Sequence, residues 1–179
     1  MKFKLLFSLF FLMQTLNSFS SGLPKNIHKK VTKEIASFYD VKDFELKSIS
    51  VSDELNSLLI HPIKEKNLFQ IIISGELVGY AYVAKAPSKT DEFDYLVLFD
   101  KDLIITRSKL LIYREDYGAE IGSKRWLKQF IGLKEGANIE YGNQIVPISG
   151  ATISAESITI AINQLLQSIA ILNENGLFN

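Results

Sequence analysis

Apolar residues recur at two different spacings along this chain, and the switches between those spacings mark its elements. Near the N-terminus, "GLPKNIHKKVTKEIASFYD" places Ile27, Val31, Ile35 and Phe38 three to four residues apart. That spacing puts them on one stripe of a helix. Pro24 suits an early helical position, because its missing N–H has no partner to lose there. "FELKSISV", Phe44 to Val51, alternates weakly and reads as a strand. In "DELNSLLIHPIKEKN", Pro62 predicts a break.

The clearest β signal follows. "LFQIIISGELVGYAYVAKA" is two apolar runs around Ser74-Gly75-Glu76, the mark of a hairpin. "FDYLVLFDKDLIITRSKLLIYRED" repeats the arrangement around Asp100-Lys101-Asp102. Long adjacent strands joined by short turns predict an antiparallel meander. "IGSKRWLKQFIG" reads as a short helix capped by Ser123 and ended by Gly132. "LKEGANIEYGNQIVP" reads as loop or irregular strand. The last segment returns to helical spacing: Ile158, Ile162, Leu165, Ile169 and Leu172 form one stripe, flanked by Ala161 and Leu166. The expected class is therefore α+β, an antiparallel sheet meander packed with N-terminal, short middle and C-terminal helices.

Composition changes this picture mainly at the start of the chain. "MKFK" is basic, "LLFSLFFLM" (Leu5 to Met13) is a short apolar run, and "QTLNSFSS" is polar and small. This is the order of a secretory signal peptide, and the apolar run is too short to span a bilayer. Cleavage after Ser20 is expected, giving a signal at residues 1–20 and one domain at 21–179; a retained anchor is the alternative. Without residues 1–20 the chain has eighteen basic and twenty acidic side chains, a net charge of −2. That balance argues against a nucleic-acid partner. The chain has no cysteine, so disulfides, thiolate metal sites and a cysteine nucleophile are excluded.

Few residues stand out as chemistry. His28 and His61 are the only histidines, and neither has a partner at metal-site spacing. No Walker or Gly-x-Gly-x-x-Gly sequence occurs, and Ser149 lacks the Gly-x-Ser-x-Gly frame of a hydrolase elbow. Glu115, Asp116 and Glu120 cluster in "YREDYGAEIG", ordinarily a solvated turn. "SGATIS", Ser149 to Ser154, is different, because it lies where the last helix begins. The first helical turn has unpaired N–H groups and the positive end of the helix dipole. Gly150 and Ala151 add little bulk, and Thr152 and Ser154 supply hydroxyls. Two readings follow: an anion-binding helix start, or a plain cap by Thr152 or Ser154 with Gly150 in the turn.

"SGATIS" followed by an amphipathic helix resembles the flavinylation motif of the FMN-binding domain family. That family includes the peripheral flavin subunits of the sodium-pumping quinone reductase and of the Rnf electron-transport complex. The resemblance implies that Ser149, Gly150 and Ala151 form the motif and that Thr152 is the acceptor, esterified to the phosphate of FMN. It extends upstream through "YREDYGAEIGSKRWLKQFIG", where Glu115, Gly118, Gly122, Trp126, Phe130 and Gly132 match; Tyr117 lies in the same loop. One position departs: the family often has aspartate three residues before the Ser/Thr, and this chain has Val146. The resemblance implies an exported electron carrier, periplasmic or on the outer face of the cytoplasmic membrane. Its implied partners are an FAD-dependent FMN transferase and a membrane redox complex. Noncovalent FMN or phosphate binding, and a structural domain without flavin, are the alternatives. If a flavin is held at Thr152, Trp126 and the loop from Glu115 to Gly122 are expected to lie beside it.

Overall fold

The computed structural model describes residues 22–178, so the expected signal segment lies outside the described residues. Helix α1 spans Lys25–Tyr39 and starts after Pro24. Ile27, Val31 and Ile35 of its apolar stripe are buried, while Phe38 packs at the edge. The weak alternation near Phe44 condenses to β1, Glu45–Ser48. A one-turn helix α2, Asp53–Asn56, follows, with the Ser52 hydroxyl accepting a hydrogen bond from the Leu55 N–H.

The two hairpins form as their patterns require. They consist of β2 (Leu68–Ile73), β3 (Glu76–Pro87), β4 (Glu92–Phe99) and β5 (Ile105–Ile112). With β1 they make one five-stranded antiparallel meander in sequence order. Ser74 and Gly75 both have positive φ, 53° and 82°, the two-residue turn whose twist matches the flanking strands. Asp100 organises the second turn, accepting hydrogen bonds from the N–H groups of Asp102 and Ile104.

Seven of the eight β4 residues are buried, because both faces of the sheet are covered. Phe69, Ile71, Ala81, Val83, Leu96 and Leu98 face α1. Tyr80, Tyr82, Phe93, Tyr95, Val97 and Phe99 belong to the core shared with the last helix, α4, Thr152–Glu174. The successive residues Leu96, Val97, Leu98 and Phe99 thus alternate between two cores, as the pleat dictates. Ile158, Ile162, Leu165, Leu166, Ile169 and Leu172 of α4 are all buried in the second core. This 23-residue helix is long and apolar enough to cross a membrane, but its stripe is spent on the sheet.

The middle helix is more broken than its sequence suggests. Residues Ala119–Gly122 form a 3₁₀ turn, α3 is only Lys124–Leu127, and Lys128–Phe130 return to 3₁₀ geometry. Ser123 caps α3, accepting from the Trp126 N–H, and Gly132 follows with a φ of 88°. A single turn between two breaks cannot propagate, since each terminus leaves backbone groups unpaired. The next segment crosses back to α4, where Asn163 accepts from the Ile139 N–H and Gln167 donates to the carbonyls of Gly136 and Ala137.

Candidate functional site

Three consecutive side chains after β5 set the site. The Tyr113 hydroxyl lies 3.0 Å from Ser154 Oγ, joining the end of the sheet to the first turn of α4. Arg114 donates to the buried carboxylate of Asp94 at 2.5 Å and to the Glu92 carbonyl at 2.7 Å. Glu115 reaches across to the β3–β4 turn. It accepts from the Ser88 hydroxyl (2.6 Å), from the N–H and hydroxyl of Thr90 (2.6 and 2.8 Å) and from the Asp91 N–H (3.2 Å). These donors hold its carboxyl down at about 2. Such a carboxylate is a tether, already supplied with donors, and not a proton acceptor at neutral pH.

The chain then turns over the helix start. Gly118 has a φ of 85°, and a Cβ there would meet the Tyr113 hydroxyl at 2.8 Å and both Ala151 Cβ and the Gly150 oxygen at 3.2 Å. Only glycine fits that close approach of loop to motif. Gly150 itself has a φ of 82° with open space where a Cβ would stand, so its need is conformational. Ala151 is buried beneath the loop and occupies the cap position of α4 with no side-chain cap. Thr152 is the first helical residue and is exposed; Ser154 is buried against Tyr113. The first intrahelical bond runs from the Ala155 N–H to the Ala151 carbonyl, so the N–H groups of Thr152, Ile153 and Ser154 precede the helical ladder. Capping is therefore not what the hydroxyls of this motif do.

A pocket of about 300 Å³ opens at this helix start, lined by Glu115, Tyr117, Gly150, Ala151 and Thr152 together with Lys89, Tyr113, Ile153 and Ser154. Tyr117 is 85% exposed and Ile153 52% exposed, unusual for apolar side chains and both on this pocket. Ser149 and Trp126 lie elsewhere, in an adjoining depression with Arg125, Gln129 and Val146. Trp126 is buried, packs edge-on against Phe130 at 5.5 Å and donates its indole N–H to the Val146 carbonyl. Gln129 accepts from the Val146 N–H. The tryptophan thus buttresses, through the Val146 carbonyl, the irregular segment that leads into the motif.

The segment carrying all of this but Ser88, residues 89–167, matches the family model described as the FMN-binding domain. The match supports a flavin-binding function and FMN as the ligand. It starts in the β3–β4 turn and ends within α4, so it takes in the Glu115 tether, the Gly118 contact and the motif. No curated protein matches the chain.

The sequence alone did not single out Lys89, Tyr113, Ser88 or Thr90. Lys89 is the one cation lining the helix-start pocket, but in "APSKTDEF" it reads as an ordinary turn lysine. Tyr113 carried a usable signal, since it stands two residues before Glu115 at the end of a strand.

Proposed function

We propose that this chain is an exported flavoprotein that carries electrons, with FMN joined by a phosphoester to Thr152. The observation that carries the reading is the position of Thr152: an exposed hydroxyl on the first helical residue, in the pocket of the matched domain, not committed to capping.

The residues present suit FMN. The N–H groups of the first turn, the helix dipole and Lys89 favour a phosphate. The exposed faces of Tyr117 and Ile153 offer apolar cover to a ring. When bound, FMN supplies the redox chemistry, and the protein's share is binding, orientation and electrostatics. Attachment by an FAD-dependent FMN transferase would proceed as phosphoryl transfer. Thr152 Oγ1 loses its proton and bonds to the FMN phosphorus of FAD, while the bond to the departing AMP breaks. The charge left on the phosphodiester faces the helix N-terminus. A covalent link suits a compartment outside the cytoplasm, where a dissociated cofactor is lost. The proposed place is the periplasm or the outer face of the membrane, with a membrane redox complex as the electron partner.

Val146, where the family often has aspartate, favours a second reading in which FMN is bound without the ester. One experiment separates them. The protein is exported beside a cognate FMN transferase, and its intact mass and its colour after denaturation are measured. The expected result is an added FMN residue and a yellow denatured chain. Colour that is lost on denaturation supports noncovalent binding, and a colourless protein with no added mass overturns both.

A further inference from the structure

The outward face of α1 is a row of lysines. Lys25, Lys29 and Lys33 stand one above another at four-residue intervals, Lys30 stands beside them, and all four are exposed. None of them forms an ion pair among the described residues. Glu34, the one acid of α1, pairs instead with Arg107 and Lys109 of β5. The positive surface continues past β5 to Lys124 and Lys128, both exposed, which share a depression with Arg107 and Lys109. On the other face of the sheet, α4 carries Glu156 and Glu174 and no lysine or arginine. Charge is thus sorted by face, in a chain whose basic and acidic side chains are equal in number.

Helix stability does not explain the row. Like charges four residues apart repel. A cation in the first turn opposes the helix dipole, and α1 has Lys25 in that turn, no acid there and no base in its last turn. An arrangement that costs the helix stability points to a partner outside it. An acidic protein fits poorly, because protein interfaces centre on apolar and aromatic anchors and are depleted in lysine. None of the exposed large apolar side chains among the described residues lies on α1. A lipid headgroup layer asks only for charge, and a cluster of about four to eight cations is what recognises one. We propose that the lysine face of α1 docks the domain on an anionic phospholipid surface. The headgroup phosphates meet the row of ammonium groups, and α4, on the opposite face of the sheet, stays on the side away from the lipid. The docking does not depend on flavin at Thr152.

The test uses the exported protein and sedimentation with two kinds of vesicle, phosphatidylcholine alone and phosphatidylcholine with phosphatidylglycerol in equal parts. Binding is expected to favour the anionic vesicles strongly. Salt raised from about 0.1 to 1 M, which shortens the screening length from about 10 to 3 Å, should remove the preference. Lys29→Gln alone should weaken binding to anionic vesicles about fivefold, and glutamine at all four positions more than a hundredfold. Glutamine has nearly the helix propensity of lysine, so circular dichroism should be unchanged. Arginine at all four positions keeps the charge and should keep the binding. Thr152→Ala should bind like the wild type, so that failure at Thr152 and failure here remain distinct. Equal binding to both vesicles, or a preference that the fourfold glutamine variant retains, overturns the proposal. Binding of polyglutamate with none to anionic vesicles also overturns it, and assigns the row to an acidic protein.

Discussion

Thr152 and Glu115 divide the work at the residue scale, one exposed at the helix start and one tied down beneath it. Because Thr152 does not cap α4, Thr152→Ala should abolish covalent flavin at small cost to stability, within about 0.5 kcal/mol as for an exposed surface change. Thr152→Ser should keep label, since a hydroxyl remains. Peptide mapping of flavinylated protein checks both, and label on Ser149 or Ser154 would move the acceptor. Val146 is 62% exposed and is held through its backbone, so Val146→Asp is structurally undemanding. If aspartate there assists attachment, this variant should be flavinylated faster than the wild type in a time course, and an equal rate would make the position irrelevant. Glu115 makes a pH prediction. Its carboxyl lies at about 2 in the folded chain against an ordinary 4.5. A depressed folded value means that stability is gained above the unfolded value and lost as pH falls through the folded one. The loss should therefore run between about pH 4.5 and 2, and Glu115→Gln should flatten that part of a melting-temperature profile. An unchanged profile would mean that the turn donors do not matter to folding.

The elements were legible where their pattern was local. The α1 stripe, the Ser74-Gly75 turn and the α4 stripe each declare themselves within a dozen or so residues, and each forms. The middle helix was not legible as it stands, because one turn between Gly122 and Gly132 has too few internal bonds for spacing to decide its geometry. The candidate site was half legible. "SGAT" marks the helix start, but Glu115 finds its donors 24 to 27 residues away and Trp126 its acceptor 20 away. Such pairings follow from topology, and no spacing reports them. Gly79 shows how tightly the elements are joined. A Cβ there would stand 2.2 Å from the Phe99 carbonyl oxygen, across the β3–β4 pair. Gly79→Ala should cost about 1–3 kcal/mol, as overpacking does. Chemical denaturation measures it, and a cost near zero would mean that the hairpin yields there.

For the whole molecule, folding and modification are separable, and the proposed leader is where they part. The domain needs no disulfide, since the chain has no cysteine and the sheet is covered on both faces. Among the described residues the first buried one is Ile27, with Leu23 packed nearby, and the described core is built from these and later residues. A chain beginning at residue 21 and made in the cytoplasm should therefore fold with the melting temperature of the exported protein. It should nevertheless lack covalent flavin, because the transferase is proposed to act outside. The exported chain should begin at Ser21 on N-terminal sequencing and carry the label. A leaderless chain that fails to fold would make residues 1–20 part of the domain's stability, and a mature chain still starting at Met1 in the membrane fraction would make them an anchor. A leaderless chain that folds and gains covalent FMN in the cytoplasm would separate modification from export, leaving the Thr152 chemistry intact and removing the reason given for its location.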